Sequence, residues 1–591
     1  MSNAYRTHNT AQISEADAGK TVTVAGWVDV IRDHGGVKFV DIRDHYGIVQ
    51  VAVRDTAAEA DAHYSKECTL SVTGTVVKRD SDTYNDKIAT GTVEIVPEKI
   101  TLLGKVYDSL PFEVNGDTEA GEESRFKYRF LDLRGKRAHD NIVLRSNVFA
   151  YARELMNAAG FLEMQTPILS ASSPEGARDY LIPSRHHKGR FYALPQAPQI
   201  WKQLLMTAGF DRYFQLAPCF RDEDARADRT PGEFYQLDLE MAFAGQEDVF
   251  AVAEAVIPKL ITKFMKPGQS LSQTPFPRIT YRDAMLKYGS DKPDLRNPLI
   301  IVDLSAEFAA SDFKPFAGKT VRGIRVPNMA EKSKTFFKSM EEYALSVGMK
   351  GLGYVEVQPD GSFKGPIDKF LTDEQRAGIK AKNALTVGAL TVGALTAGDV
   401  LYFIADSETA ANRYAGLIRA EVASRMELIK TDEIQICWIV DFPMYESGEN
   451  GKIEFGHNPF SMPQLDLDTT PPLDILAYQY DMVINGVEIA SGAVRNHDPD
   501  TMVKAFGIAG LSEDVVREKF GALYTAFRFG APPHAGMAFG LDRLVMILAG
   551  TDNIRDVIAF PLNGNAQDLL VGSPSGVSEL QLREAHIIVR K

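Results

Sequence analysis

The stretch "FRDEDARADRTPGEFYQLDLE" (220–240) carries acids and bases at nearly every second position, between apolar flanks. Mixed charge of this kind is either a solvated ribbon or the wall of a polar site. Strands at 213–223 and 233–243, with "RTPG" supplying turn residues in a 224–232 loop, separate the two readings. Alternate residues of a strand share a face. Phe234, Gln236, Asp238 and Glu240 then lie on one face, and Tyr235, Leu237, Leu239 and Met241 on the other. Arg221 and Glu223 share a face of the preceding strand, while Phe220 turns away. A fixed arginine beside an aromatic plane suits a phosphate and a stacked base, which favours a site for the two arms.

"YDMVINGVEIASGAVR" (480–495) contains Asn485-Gly486, a strong two-residue hairpin signal. That loop pairs Ile484 with Val487, Val483 with Glu488 and Asp481 with Ala490, making Asp481 and Glu488 diagonal neighbours on one face. They are either two surface acids or a pair that needs a cation, for which magnesium bridging to substrate phosphates is the usual partner. Arg495 follows the small residues "SGA" and suits a carboxylate substrate. In "GMAFGLDRLVMILAG" (536–550), Gly540 permits close approach of a ligand before an apolar helix interrupted by Asp542 and Arg543. Alone, that helix fits a surface Asp-Arg pair equally well. No GxxxxGK[ST] loop is present, which argues against a P-loop nucleotide site.

These residues need elements to hold them. Residues 21 to about 105 read as five short strands, "TVTVAGWVDV", "GGVKFVDIRD", "GIVQVAVRD", "CTLSVTGTVV" and "GTVEIVPEKITLL", spaced for a small barrel. Aromatic residues and arginines in such a barrel suit single-stranded nucleic acid, although Phe39 fits its core as well. Residues 107–125 have the acidic, turn-rich composition of a linker. "NIVLRSNVFAYARELMNAAG" predicts a helix with Leu144, Val148, Tyr151 and Leu155 on one face, ended by Gly160. "FLEMQTPIL" predicts an edge strand containing Pro167. From about 287 to 425 the chain has the character of an inserted domain, with the repeat "ALTVGALTVGALTAG" (384–398) expected in a surface loop.

The 591 residues suggest three or four domains, and a net charge of −14 argues against nonspecific coating of nucleic acid. No apolar run reaches membrane-spanning length, and "MSNAYRTHNTAQISE" lacks a signal-peptide pattern. Three scattered cysteines fit a reducing, cytoplasmic setting.

The Pro-ended helix–strand, the "FRDE…EFYQLDLE" strand pair and the "GLDR" strand–helix resemble motifs 1, 2 and 3 of class II aminoacyl-tRNA synthetases. "SPEGARDYLIPSR" (173–185), "LPQAPQIWKQLL" (194–205), "GSDKPDLRNP" (289–298) and "FGLDRLVMILAGTDNIRDVIAFP" narrow the resemblance to bacterial-type aspartyl-tRNA synthetases over nearly the whole chain. The resemblance implies an α+β multidomain fold: an OB-type barrel (1–106), a hinge (107–125), an antiparallel-sheet catalytic domain in two parts (126–286 and 426–560), an α/β insertion (287–425) and a C-terminal extension (561–591).

It also implies a reaction. L-aspartate attacks ATP to form aspartyl-adenylate, and the aspartyl group then passes to tRNA-Asp, by positioning and charge stabilisation. By motif position, Arg221, Asp222, Glu223, Phe234, Glu488, Gly540, Leu541, Asp542 and Arg543 would bind ATP. Arg221, Arg543 and Glu488 would carry catalysis, and Asp481 and Glu488 would hold Mg2+. Arg495 and Lys202 would pair with the aspartate side chain, two cations on one carboxylate, with Arg221, Glu175, Gln199, Asp238 and His457 completing the pocket. Arg32, His34, Phe39, Gln50 and Glu94 would meet the anticodon, and Glu223, Arg226 and Arg229 the acceptor end. A homodimer is expected through motif 1.

Three positions depart from the family pattern: Ala197 where Ser is common, Thr230 where a Gln contacts ATP, and His34 where strictly discriminating members carry Leu. His34 resembles members that charge both tRNA-Asp and tRNA-Asn. Asparaginyl and lysyl relatives lack the large insertion. A binding module without catalysis would not need both Arg221 and Arg543, and a free-standing asparagine synthetase would not need the barrel.

Overall fold

The computed structural model describes residues 3–54, 63–116, 119–172, 177–309, 311–383, 386–387, 390–391, 394–448 and 451–590. The chain forms two compact units, Met1–Lys136 and Arg137–Lys591.

In the first unit, β1 (Thr21–Asp33), β2 (Lys38–Arg43), β3 (Ile48–Val53), β4 (Thr69–Lys78) and β5 (Val93–Gly104) close a barrel in the order β1-β2-β3-β5-β4. All five predicted strands form. Val22, Val24 and Val28 on β1 and Leu70, Val72 and Val76 on β4 alternate into one buried core, the period-2 pattern of strands with one dry face. Gly74 sits at the crowded seam, where a Cβ would lie 2.2 Å from the Val96 carbonyl oxygen. Short helices follow at Glu122–Lys127 and Arg129–Asp132.

The second unit is built on an eight-stranded sheet. Its strands are β6 (Leu162–Glu163), β7 (Arg212–Arg221), β8 (Gly232–Ala242), β9 (Arg278–Thr280), β10 (Ile436–Pro443), β11 (Leu476–Ile484), β12 (Val487–Val494) and β13 (His534–Gly540). Their order is β9-β10-β11-β12-β13-β8-β7-β6, antiparallel except at the two ends. One face packs against helices α1 (Lys136–Ala158), α3 (Gln246–Phe264) and α5 (Leu541–Ala549). Leu237, Leu239 and Met241 of β8 enter that core, and Phe250 stacks on Trp438 at 4.0 Å. The opposite face is left for the site, and α2 (Gln199–Thr207) packs against β8 beside it.

Two elements differ from their sequence-based expectation. The buried stripe of α1 runs through Val148, Ala152 and Met156, with Leu144, Tyr151 and Leu155 only partly covered. Ala152, small enough for close helix–sheet contact, lies at the centre of the stripe, and large side chains alone do not reveal it. The strand expected over "FLEMQTPIL" shortens to Leu162–Glu163 at the sheet edge, leaving Pro167 outside the ladder it cannot join.

Between α4 (Tyr281–Tyr288) and β10 lies a five-stranded antiparallel sheet in the order 301–303, 320–326, 400–406, 353–357, 363–364. It has a buried cluster on each face, one around Ile324, Met340 and Ile418 and one around Leu304, Phe308 and Phe403. Within the "ALTVG" repeat, 386–387 pair with 390–391; much of the rest lies outside the described residues, as does Glu175.

Candidate active site

β7 and β8 pair in register, Gly232 opposite Arg221 and Asp238 opposite Gln215. A cavity of about 670 Å³ opens on the face that parity assigned to Phe234, Gln236 and Asp238. Gln199, Lys202, Arg221, Glu223, Arg226, Arg229, Phe234, Asp238, His457, Asp481, Glu488, Arg495, Gly540, Asp542 and Arg543 all line it, so nearly every predicted catalytic-site residue is brought together. The Arg221 guanidinium lies 4.9 Å from the centre of the Phe234 ring, and its buried Nε has no hydrogen-bond partner. Arg543 is fixed by its Nη1 donating to the Glu488 carbonyl (2.8 Å) and its Nε to the Asp228 carbonyl (3.1 Å).

The floor of the cavity holds four fully buried charges. Arg495 donates through Nε and Nη2 to the two oxygens of Glu240, at 2.8 and 3.0 Å. Lys202 Nζ donates to Asp238 at 2.6 Å and lies 3.3 Å from Glu240. Each of the two cations expected to face the substrate carboxylate also has a carboxylate partner within the fold. Burying two bare cations would cost several kcal/mol each or more, so the fold supplies two anions on alternate residues of β8. Burial pushes both carboxyls up. For Glu240, Arg495 and Lys202 more than offset this and hold it below its ordinary value, whereas Asp238 stays raised. Arg495 Nη1, Asp238 Oδ2 and Gln199 Nε2 remain buried without hydrogen-bond partners. Gly536, opposite Glu240, makes the cluster possible, because a Cβ there would lie 2.1 Å from Glu240 Oε2. His534, fully buried beside the cluster, is pushed down to about 4 by desolvation.

The predicted hairpin forms, with Asn485 and Gly486 at φ +52° and +81°, the positive values a type I′ turn requires. Ile484 pairs with Val487 and Val483 with Glu488, as expected, but a bulge at Ile489 then shifts the register. Asp481 pairs with Ser491, not Ala490. The extra residue adds local twist, and Asp481 and Glu488 still line the same cavity. Burial, and then the Glu488 charge, raise Asp481 well above the ordinary carboxylate range, and its Oδ1 is buried without a partner. Such a pair fits a cation. Among the described residues no group of three or more His, Cys, Asp or Glu is gathered to hold one, so the remaining ligands would come from phosphate oxygens and water.

Of the predicted nucleotide residues, Asp542 lines the cavity with its carboxylate engaged within the fold, while Leu541 and Asp222 do not line it. Asp542 accepts from the Tyr235 backbone N–H at 2.8 Å and pairs with Arg145 at 2.9 Å, pinning α5 to β8 and α1. Leu541 is wholly in the core, leaving only its backbone for a ligand. The strand expected to reach 223 ends at Arg221, so Glu223 lies in the loop, where Arg229 pairs with it at 2.6 Å.

In the barrel, Arg32, His34, Phe39, Gln50 and Glu94 line one cavity of about 430 Å³, together with Arg54, Arg79 and Tyr84. Phe39 is half-buried and outside the core cluster, which decides against its being a core residue; His34 meets it edge-on at 5.7 Å. Arg32 donates to Asp41 (2.9 Å) and Gln50 (3.2 Å), Gln50 to Glu94 (3.0 Å), and Arg54 to Glu94 (2.7 Å).

Residues 121–564 match the family of class II tRNA synthetases for D, K and N, and residues 22–103 match the OB-fold nucleic acid binding domain. The chain belongs to the class II tRNA synthetases. It is 51% identical to the aspartate–tRNA ligase of Streptomyces avermitilis, over 99% of both chains. It is 50% identical to the aspartate–tRNA(Asp/Asn) ligase of Rickettsia canadensis, over 99% of this chain and 98% of that one. A putative aspartyl-tRNA synthetase from Leishmania major shares the fold at a TM-score of 0.58 and 19% identity, over 95% of this chain and 94% of that one.

Within this synthetase, sequence reasoning placed Glu240 on the right face without a role. Its signal was an acid one strand step from Asp238, in a strand otherwise dry. Gly536 and Asp228 gave no signal, because their roles exist only across strand and loop pairings. No helix among the described residues is long and apolar enough to cross a membrane.

Proposed function

We propose that this synthetase activates L-aspartate with ATP and transfers it to tRNA-Asp. The observation that carries this reading is the unpaired Nη1 of Arg495 at the floor of the cavity, backed by a cluster in which every other charge is matched. A buried guanidinium donor without an acceptor gains more from the charged carboxylate of aspartate than from the neutral amide of asparagine, so selectivity rests on a charge-assisted contact. Lys202 and Asp238 set the orientation of the substrate around that contact.

Arg221, unpaired at Nε and stacked on Phe234, is placed to hold the α-phosphate while the adenine takes the ring face. Arg543, rigidly held by two carbonyls, steadies the far end of the triphosphate. The aspartate carboxylate attacks the α-phosphorus and pyrophosphate leaves; the terminal ribose hydroxyl of the tRNA then attacks the mixed anhydride and AMP leaves. Magnesium bound by Asp481 and Glu488 would supply charge neutralisation at the phosphates. The barrel cavity, with Phe39 as stacking platform, takes the anticodon. A homodimer forms through α1 and the β6 edge, where Leu162, Ile168 and Leu169 stay exposed, and the enzyme works in the cytoplasm. His34, exposed beside Phe39, supports charging of tRNA-Asn as well.

ATP–pyrophosphate exchange with aspartate, asparagine and lysine tests the activity. Exchange with aspartate alone is expected, falling about 10²–10³-fold in Arg221→Ala. Exchange with asparagine, or full activity in that variant, overturns the reading. Charging of purified tRNA-Asn beside tRNA-Asp decides the finer point, and its absence removes the role given to His34.

A further inference from the structure

"GSDKPDLRNP" (289–298) joins α4 to the inserted sheet, and two of its residues, Asp291 and Lys292, reach the cavity wall beside Glu488. Lys292 Nζ lies 2.7 Å from Asp291 Oδ2 and 3.4 Å from Glu488 Oε2, and Asp481 acts on it electrostatically. One ammonium thus pairs with two carboxylates, Asp291 and Glu488, and acts at longer range on a third, Asp481.

The position of this lysine is built and held. Gly289 ends α4 at φ +68°, packed so closely that a Cβ would lie 2.4 Å from the Asn412 carbonyl oxygen. Arg419, on the last helix of the insertion (Glu408–Arg425), donates to the carbonyls of Asp294 (3.0 Å), Asn297 (2.9 Å) and Leu299 (2.6 Å). On the other side, Asp294 rests against the Asn485-Gly486 turn, where a Cβ on Gly486 would lie 3.1 Å from its own Cβ. The loop is clamped between the insertion and the hairpin that carries Asp481 and Glu488.

We infer that Lys292 is the resident counter-ion of the Asp481–Glu488 wall: it pairs with Glu488 before nucleotide binds and offsets the charge of both acids, and it would have to give up Glu488 to a divalent cation bound there. The insertion, through Arg419, is the device that presents it. Lys292 is a positioning residue, acting on the reaction through Glu488 and Asp481. The inference rests on the reading of those two acids as the magnesium ligands.

A monovalent charge at this distance opposes the entry of a divalent ion. Removing it makes the empty site more negative and therefore a better cation site. The test is Mn2+ binding to nucleotide-free, full-length protein, followed by electron paramagnetic resonance. Lys292→Gln is expected to bind Mn2+ about tenfold more tightly than the parent protein. Lys292→Arg, which keeps the charge, is expected to match the parent, and Lys292→Gln/Glu488→Gln to lose the gain. Unchanged or weaker binding in Lys292→Gln overturns the inference, as does an equal gain in Lys292→Arg. Parent-level Mn2+ binding in Glu488→Gln alone overturns the metal-site reading itself. Lys292 is 37% exposed, so its replacement leaves the core intact, and matching circular dichroism spectra verify this.

Discussion

The two polar cavities of this synthetase use the same residue types, Arg, Gln, Glu and Asp, and differ in how much water they keep. In the barrel, Arg54 pairs with Glu94 while its own side chain is 58% exposed. Under the sheet, the Lys202 and Arg495 side chains are 3% and 1% exposed, and those of Asp238 and Glu240 are wholly buried. Water screens the first pair, which contributes at most about 1 kcal/mol. In the second, pairing is the condition for the charges to be buried at all. The wet cavity suits a flexible ligand, whereas the dry one suits a small ligand met by a fixed pattern of donors.

The largest expected effect is at the dry cluster. Glu240→Gln leaves Arg495 buried beside a neutral partner and should cost the second unit about 3–5 kcal/mol in chemical denaturation. A loss below about 1 kcal/mol would erase the distinction between the cavities. The next effect is on pH. His534 titrates near 6.5 when unfolded and near 4 in the fold, so the unfolded chain binds more protons between those values. Its contribution is fully present above pH 6.5 and is lost as pH falls towards 4, about 3 kcal/mol in total. His534→Asn should flatten that part of the stability–pH curve, and parallel curves for the two proteins would place the ring in contact with water. The smallest effects lie in the barrel. Phe39→Ala should raise KM for tRNA by roughly 10–100-fold, the scale of one lost base stack, with amino-acid-dependent exchange unchanged. Arg54→Ala should shift stability by less than about 1 kcal/mol. A larger penalty there would show that the barrel cavity is drier than its exposure implies.

Much of this was legible in the chain because strand periodicity is local. The alternation of Phe234, Gln236 and Asp238 against Leu237 and Leu239 told the site face from the core face, since a strand has only two. Asn485-Gly486 announced its turn because positive φ at two successive positions suits few residue pairs. The bulge at Ile489 was not legible, because an extra residue is accommodated by its partner strands and leaves no mark in the hairpin's own composition. The short β6 and the stripe through Ala152 were set by what packs against them.

The sequence by itself determined which polar residues share a strand face and so line the cavity, because a strand's alternation and a turn's dihedral preferences are properties of adjacent residues. Only the tertiary structure decided how the charges neutralise one another. Arg495 with Glu240, Lys202 with Asp238 and Lys292 with Glu488 join positions up to 255 residues apart. The energy of a buried charge depends on what surrounds it in space, and composition along the chain does not carry that information.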